Sequence, residues 1–183
     1  MTVFELTGLY EQARDTPSDI YLHVERMADL VVERNAQHVI ELGTRTGVST
    51  IAWLHGLHQT GGRLTSVDLD AKPPIGEWSH WTYVQGDDLD TAVIGFLEPA
   101  DIVFIDTSHH YLHTVRELHT YRWLVKPGGI IVCHDTELAR PEGETDPRPF
   151  PVRRAIEQFT AETGMAWHNF PECNGLGIID VGG

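Results

Sequence analysis

The chain has 183 residues, 41% hydrophobic and 22% charged, the composition of one globular domain with a sizeable core. With 27 acidic residues against 13 basic ones its formal net charge is −14, which repels phosphate backbones and argues against nucleic acid as a partner. No apolar run approaches a membrane span, no basic-then-apolar leader opens the sequence, and Cys133 and Cys173 make no disulfide framework, so a cytoplasmic protein without a membrane partner is expected.

No repeat, low-complexity tract or linker divides the chain, and residues 1–183 read as a single domain. Thr16-Pro17-Ser18-Asp19 reads as a helix start, with Thr16 as cap and Pro17 at the first position. Ile20, Val24, Met27 and Val31 then share one face of a helix to about Arg34. Residues 39–42 read as a first strand, followed by a glycine-containing turn and a helix to about His58. A second strand spans 64–69 after the Gly61-Gly62 turn, a third spans 81–85, and a short helix covers 89–96. Residues 101–106 form a fourth strand with no polar residue inside it, as in a sheet buried on both faces. Leu112, Val115, Leu118, Tyr121 and Leu124 mark the next helix, which ends before Lys126-Pro127-Gly128-Gly129, and 130–133 form a fifth strand. After a polar, proline-rich loop over 141–151, Val152, Ile156 and Phe159 mark a helix, and strands follow near 165–169 and 176–181.

This alternation predicts an α/β fold, a mostly parallel sheet with helices on both faces. The connection 170–175 is too short for a parallel crossover, so the last strand is expected to be antiparallel. Arg148, Arg153 and Arg154 are the one local basic cluster, and Arg153 and Arg154 read as the solvated face of a helix.

Ligands of such sheets bind beyond the carboxyl ends of the strands. The first strand runs into Glu41-Leu42-Gly43-Thr44-Arg45-Thr46-Gly47, where Gly43 permits a tight turn and Gly47 close approach of backbone to a ligand. The spacing G-x-x-x-G lacks the central glycine of a dinucleotide fingerprint. The second strand ends in Val67-Asp68-Leu69-Asp70, whose Asp68 could accept bonds from both ribose hydroxyls or could cap a turn. The third is followed by Gly86-Asp87-Asp88, where an acid could meet an adenine amino group.

Together with Lys126-Pro127-Gly128-Gly129-Ile130-Ile131-Val132, these segments resemble class I S-adenosylmethionine (SAM)-dependent methyltransferases over roughly residues 37–135. The resemblance implies a Rossmann-like seven-stranded sheet ordered 3-2-1-4-5-7-6 and SAM as methyl donor. It places the amino-acid end of SAM near Glu41, Gly43 and Thr44, with Gly47 and Ser49 behind them. It places the ribose at Asp68 and Leu69, and the adenine at Gly86 and Asp87 or Asp88. Asp106 would also face the cofactor.

The fourth and fifth strands end in Asp106-Thr107-Ser108-His109-His110 and Cys133-His134-Asp135. Neighbouring strands lie about 4.8 Å apart, so Asp106, Asp135 and His134 can converge on one ligand. Facing carboxylates are costly without a cation or proton between them, which favours a divalent metal. Oxygen ligands suit Mg²⁺, whereas a histidine ligand pulls towards Mn²⁺, Fe²⁺ or Zn²⁺. The pair resembles the metal-dependent branch containing catechol and macrolide-sugar O-methyltransferases, which implies Asp106, His134 and Asp135 as ligands. That branch usually carries an acid where His134 stands, so the metal's identity stays open. Its general base lies three residues after the first metal acid, at His109, with His110 as competitor. A histidine suits that work, since its ordinary pKa of about 6.5 lets it take a proton near neutral pH. His113 and His119 read as helix surface, and Cys133 as core.

The expected function is metal-assisted O-methylation of a sugar, diol or phenol hydroxyl on a small molecule, as in natural-product tailoring. Acceptor contacts would come from the N-terminal segment, residues 136–150 or a partner subunit, and a homodimer would help close the pocket. The alternatives are an NAD(P)-linked oxidoreductase, disfavoured by G-x-x-x-G and the lack of a Tyr-x-x-x-Lys pair, a SAM-binding module without activity, and a metal-independent N- or C-methyltransferase.

Overall fold

A computed structural model describes residues 2–182, with only the backbone described for Val3. Seven strands are present: β1 His38–Leu42, β2 Arg63–Asp68, β3 Trp81–Gln85, β4 Ala100–Ile105, β5 Val125–His134, β6 Trp167–Phe170 and β7 Leu176–Asp180. They form one sheet in the expected order β3-β2-β1-β4-β5-β7-β6. Pairs among β1 to β5 are parallel, and β7 is antiparallel to both β5 and β6. The helices are α1 Val3–Asp15, α2 Val24–Glu33, α3 Val48–Thr60, α4 Thr91–Phe96, α5 Tyr111–Tyr121 and α6 Pro151–Thr163.

Alternation along the strands sorts the core into two layers. Val39, Leu64, Ile102 and Phe104 pack with Met27 and Val31 of α2 and Trp53 and Leu54 of α3. Ile40, Leu42, Val103 and Ile105 pack on the other side with Leu118 and Tyr121 of α5 and Ile156 and Phe159 of α6. Truncating one such aliphatic side chain to alanine typically costs about 2–5 kcal/mol. Two covered faces hold the strand ends in fixed register, and the loops that carry polar residues leave from those ends.

The N-terminal region departs from expectation. Residues 3–15 form α1, started by a reciprocal cap in which Glu5 N–H donates to Thr2 Oγ1 and Thr2 N–H to Glu5 Oε2. Leu6, Tyr10 and Ala13 bury its inner face. Thr16 therefore ends α1, its N–H donating to Gln12 O, and does not open α2. Pro17 is the reason, because it forces Thr16 into an extended conformation, φ −97° and ψ 118°. A short 3-10 turn, Tyr21–His23, then leads into α2.

Other bounds differ by less. β5 continues back through Lys126-Pro127-Gly128-Gly129 because its register with β4 slips between Ala100 and Ile102, and the bulge absorbs the proline and glycines. β2 and β4 stop at Asp68 and Ile105, which leaves Leu69 and Asp106 in the loops beyond. The arginine cluster is not a solvated face: Arg148 and Arg154 pair with Asp146, and Arg153 pairs with Glu137. Among the described residues no helix is long and apolar enough to cross a membrane.

Candidate active site

A cavity of about 430 Å³ opens beyond the carboxyl ends of β1, β2, β3 and β4. That is the size range of small-molecule sites. Gly43, Thr44 and Ser49 line it from the turn between β1 and α3, and Asp68 and Leu69 from the end of β2. Gly86, Asp87 and Asp88 line it from the end of β3, and Asp106 and His109 from the end of β4. Ser18, Asp19 and Ile20 close the side nearest the N-terminal segment, where Asp19 pairs with Arg45 at 2.6 Å.

The β1 turn is held from three sides. Gly43 has φ +86°, and a Cβ there would lie 2.0 Å from the carbonyl oxygen of Asp106, so no larger residue fits. Asp68 Oδ2 accepts the N–H of Thr44 at 2.6 Å, the Thr44 hydroxyl at 2.9 Å and the N–H of Arg45 at 3.2 Å. Its Oδ1 accepts Asp70 N–H at 3.0 Å. Burial would push the Asp68 carboxyl up, but these donors outweigh it and hold the group below its usual range.

Two residues expected at the cofactor lie elsewhere. Glu41 is fully buried beneath the turn and does not line the cavity. Its position in β1 turns it towards α3, where Ser49 (2.7 Å) and Thr50 (2.9 Å) donate hydroxyls to it, and Ser66 of the neighbouring β2 donates a third (2.5 Å). Burial raises its pKa to about 7 against those three donors. Gly47 also stands off the cavity, because the room left by its missing side chain is filled by Ile75, 2.8 Å from an ideal Cβ.

At the β4–β5 end four side chains meet. His109 Nε2 lies 3.0 Å from Asp106 Oδ1 and 3.0 Å from Asp135 Oδ2. His134 Nδ1 lies 3.4 Å from Asp106 Oδ1 and 3.3 Å from Asp135 Oδ2. The other ring nitrogen of His134, Nε2, faces the carbonyls of Asp19 at 3.2 Å and Cys173 at 2.9 Å. Two carbonyls can only accept, so Nε2 carries a proton and Nδ1 is directed at the carboxylates. His134 and Asp135 are buried behind His109 and do not line the cavity. His109 and Asp135 have positive φ, +57° and +61°, a strained conformation for such residues. His110 turns away to the carbonyl of Glu142, so of these two neighbouring histidines His109 is the one at the cavity.

Burial pulls both imidazoles down, yet Asp106 and Asp135 overcome it and raise His109 to about 9 and His134 to about 11. The carboxyls of Asp106 and Asp135 are held low in return, against their burial. Asp135 Oδ1 is nevertheless buried without a hydrogen bond. One ligand atom each from Asp106, His134 and Asp135 lies within 4.8 Å of the others, a spacing able to hold a metal ion.

A further cluster escaped the sequence reading. His113, expected on the surface, lines the cavity between Asp88 (3.3 Å) and Glu117 (3.5 Å). Its four-residue spacing from Glu117 turns both inward on one face of α5. The Asp88 carboxylate thus turns inward, whereas the Asp87 carboxylate caps its own turn by accepting Leu89 N–H.

Residues 40–136 match the family described as "Methyltransferase domain", a stretch that runs from β1 past the end of β5 and includes every strand end above. The chain belongs to this methyltransferase family. The motif resemblance is borne out at that level, and the oxidoreductase alternative is set aside. This methyltransferase chain is 26% identical over 147 residues to O-methyltransferase ankF of Aspergillus thermomutatus, covering 74% of the chain and 61% of that protein. It therefore spans about three-fifths of that relative's length. Among solved structures it is similar to an O-methyltransferase from Bacillus cereus in complex with SAH, TM-score 0.66 and 20% identity, covering 97% of this chain and 90% of that one. It is also similar to MycE methyltransferase of the mycinamycin pathway in complex with Mg, SAH and mycinamycin VI, TM-score 0.71 and 19% identity, covering 98% of this chain and 53% of that one. At these identities the likeness is one of fold.

Proposed function

We propose that this domain transfers the methyl group of SAM to a hydroxyl oxygen of a small molecule. Asp106, His134 and Asp135 would hold a divalent cation, and His109 would take the hydroxyl proton. The observation that carries this reading is the cluster of two carboxylates and two imidazoles, of which Asp106 and His109 line one wall of a cavity whose other walls are Gly43–Thr44, Asp68–Leu69 and Gly86–Asp88. Bound SAH in the Bacillus cereus and MycE structures supports SAM as the donor, and the Mg of MycE supports a cation.

For the donor, Asp68 offers its remaining carboxylate lone pairs to the ribose hydroxyls. Leu69, 68% exposed at the cavity, offers an apolar face to the adenine. The metal ligands fit a cation: His134 Nδ1 is fixed towards the carboxylates by the carbonyls behind it, and Asp135 Oδ1 lacks any other partner. One nitrogen and two carboxylates suit Mn²⁺, Fe²⁺ or Zn²⁺, and Mg²⁺ if water fills the remaining positions. When bound, such an ion polarises an acceptor hydroxyl and lowers its pKa.

With Asp106 and Asp135 engaged by such an ion, the cause of the raised His109 pKa would weaken, and His109 Nε2 would accept the hydroxyl proton. As that proton leaves, the hydroxyl oxygen forms a bond to the methyl carbon and the sulfur–carbon bond breaks, giving the methyl ether and neutral SAH. The chain's contribution is to hold both reactants in line, which can be worth about 7–11 kcal/mol of barrier. The acceptor class is a sugar, vicinal diol or phenol.

A second reading, metal-independent transfer, is favoured by the same two imidazoles, which already neutralise the two carboxylates. The test of the main proposal is calorimetric titration with SAM and with NAD, followed by labelled-SAM turnover on sugars, diols and phenols. Heat with SAM alone and label in a hydroxyl acceptor are expected. NAD heat without SAM heat, or no labelled acceptor in any class, overturns it.

A further inference from the structure

The Asp88–His113–Glu117 cluster lies on the β3 side of the cavity and has no part in the transfer chemistry above. We propose that these three residues form a separate site for a tetrahedrally coordinated transition-metal cation such as Zn²⁺, at the wall of the cavity.

Hydrogen bonding does not account for the arrangement. His113 Nε2 lies 3.3 Å from Asp88 Oδ1 and 3.5 Å from Glu117 Oε1, longer than the usual 2.7–2.9 Å of a charge-assisted bond. It is buried and makes no hydrogen bond, and the same holds for Asp88 Oδ2 and Glu117 Oε2. Glu117 has no exposure at all. Three buried polar atoms without a hydrogen bond in one cluster, held together only by long ion pairs, call for a ligand that is not part of the chain.

Geometry and chemistry name that ligand. Donors at 2.0–2.1 Å around a tetrahedral ion lie about 3.4 Å from one another, which is the separation His113 keeps from both acids. One ligand atom of each residue lies within 4.8 Å of the others. Two carboxyls and one imidazole supply the oxygen and nitrogen donors that such an ion takes.

The supports around the cluster are those of a built site. His113 and Glu117 stand four residues apart on α5, the spacing at which helices present paired metal ligands. The Thr107 hydroxyl donates to Glu117 Oε1 at 2.6 Å, and the Tyr121 hydroxyl donates to the carbonyl of Asp88 at 2.7 Å. Both fix ligands from outside, as the partners of metal-binding residues do. Because His113 is on the cavity wall, a fourth ligand would come from the cavity.

The inference is independent of the methyl-transfer reading, and the experiment separates the two metal sites. The double variant Asp106→Asn with Asp135→Asn is dialysed against Zn²⁺ and its metal content measured, with circular dichroism to confirm folding. One zinc per chain is expected, lost when His113→Gln is added. No zinc in the double variant, or zinc that survives His113→Gln, overturns the proposal. Should the double variant not fold, wild type and His113→Gln are compared directly: a fall of one zinc per chain supports the site, and equal content overturns it.

Discussion

Thr44 N–H donates to Asp68 Oδ2 at 2.6 Å, so the turn that leaves β1 is anchored on the acid that ends β2. Asp68→Ala removes four donor–acceptor contacts at once. Loss of about 1–3 kcal/mol of stability is expected, with at least tenfold weaker SAM binding. Denaturant melts and calorimetry on the same preparations check both; a variant that binds SAM as wild type does would remove Asp68 from the donor site.

Gly43→Ala would place a methyl group against the Asp106 carbonyl and strain a left-handed residue. Destabilisation of more than about 2 kcal/mol is expected, because backbone stands on the blocked side. Urea unfolding measures it, and an unchanged midpoint would contradict the close approach of the two turns.

His109→Gln keeps a polar side chain at the cavity but removes the proton acceptor. A fall in kcat of about 10²–10⁴ is expected, with the SAM dissociation constant within about threefold of wild type. The reverse pattern, weak SAM binding at near-normal kcat, would assign His109 to the donor.

Chelation followed by add-back of Mg²⁺, Mn²⁺ or Zn²⁺ tests the cation at Asp106, His134 and Asp135. Turnover is expected to fall at least tenfold and to return with the preferred ion, and no ion should restore it in Asp106→Asn. Full turnover after chelation would favour the reading in which the imidazoles alone neutralise the carboxylates.

Glu41 supplies a pH test of the buried region. Its folded pKa of about 7 lies above its ordinary 4.5, so its contribution to stability is full below 4.5 and lost as pH rises through 7. Glu41→Gln, neutral at every pH, lacks this dependence. Between pH 4.5 and 7 wild type should therefore lose about 3 kcal/mol relative to the variant. Parallel stability curves across that range would mean the Glu41 carboxylate is ionised in the fold.

What could be read from the sequence follows from where the polar residues stand. Apolar runs such as 102–105 and 130–133 announce strands covered on both faces; Asp106 stands out because it ends such a run, and Asp68 because it follows Val67 at the end of a strand opened by the Gly61-Gly62 turn. Glu41 stands one residue before the end of β1 and shares the α3 side with Val39, and only the hydroxyls of Ser49, Thr50 and Ser66 reveal that it is inward. His113 hid inside a helical pattern; its spacing from Glu117 was the available signal. α1 hid for another reason, since its mixed composition masks Leu6, Tyr10 and Ala13, although Thr2 and Glu5 display its cap. At Gly47 the glycine reports only that something comes close, and in the fold the close neighbour is Ile75.

The tethering of His134 Nε2 to Asp19 and Cys173 draws on two loops, the one before α2 and the one between β6 and β7. A substitution that displaces either loop would leave that imidazole free to swivel and to exchange its tautomer, so the aim of Nδ1 at the carboxylates is set by parts of the chain far from them in sequence.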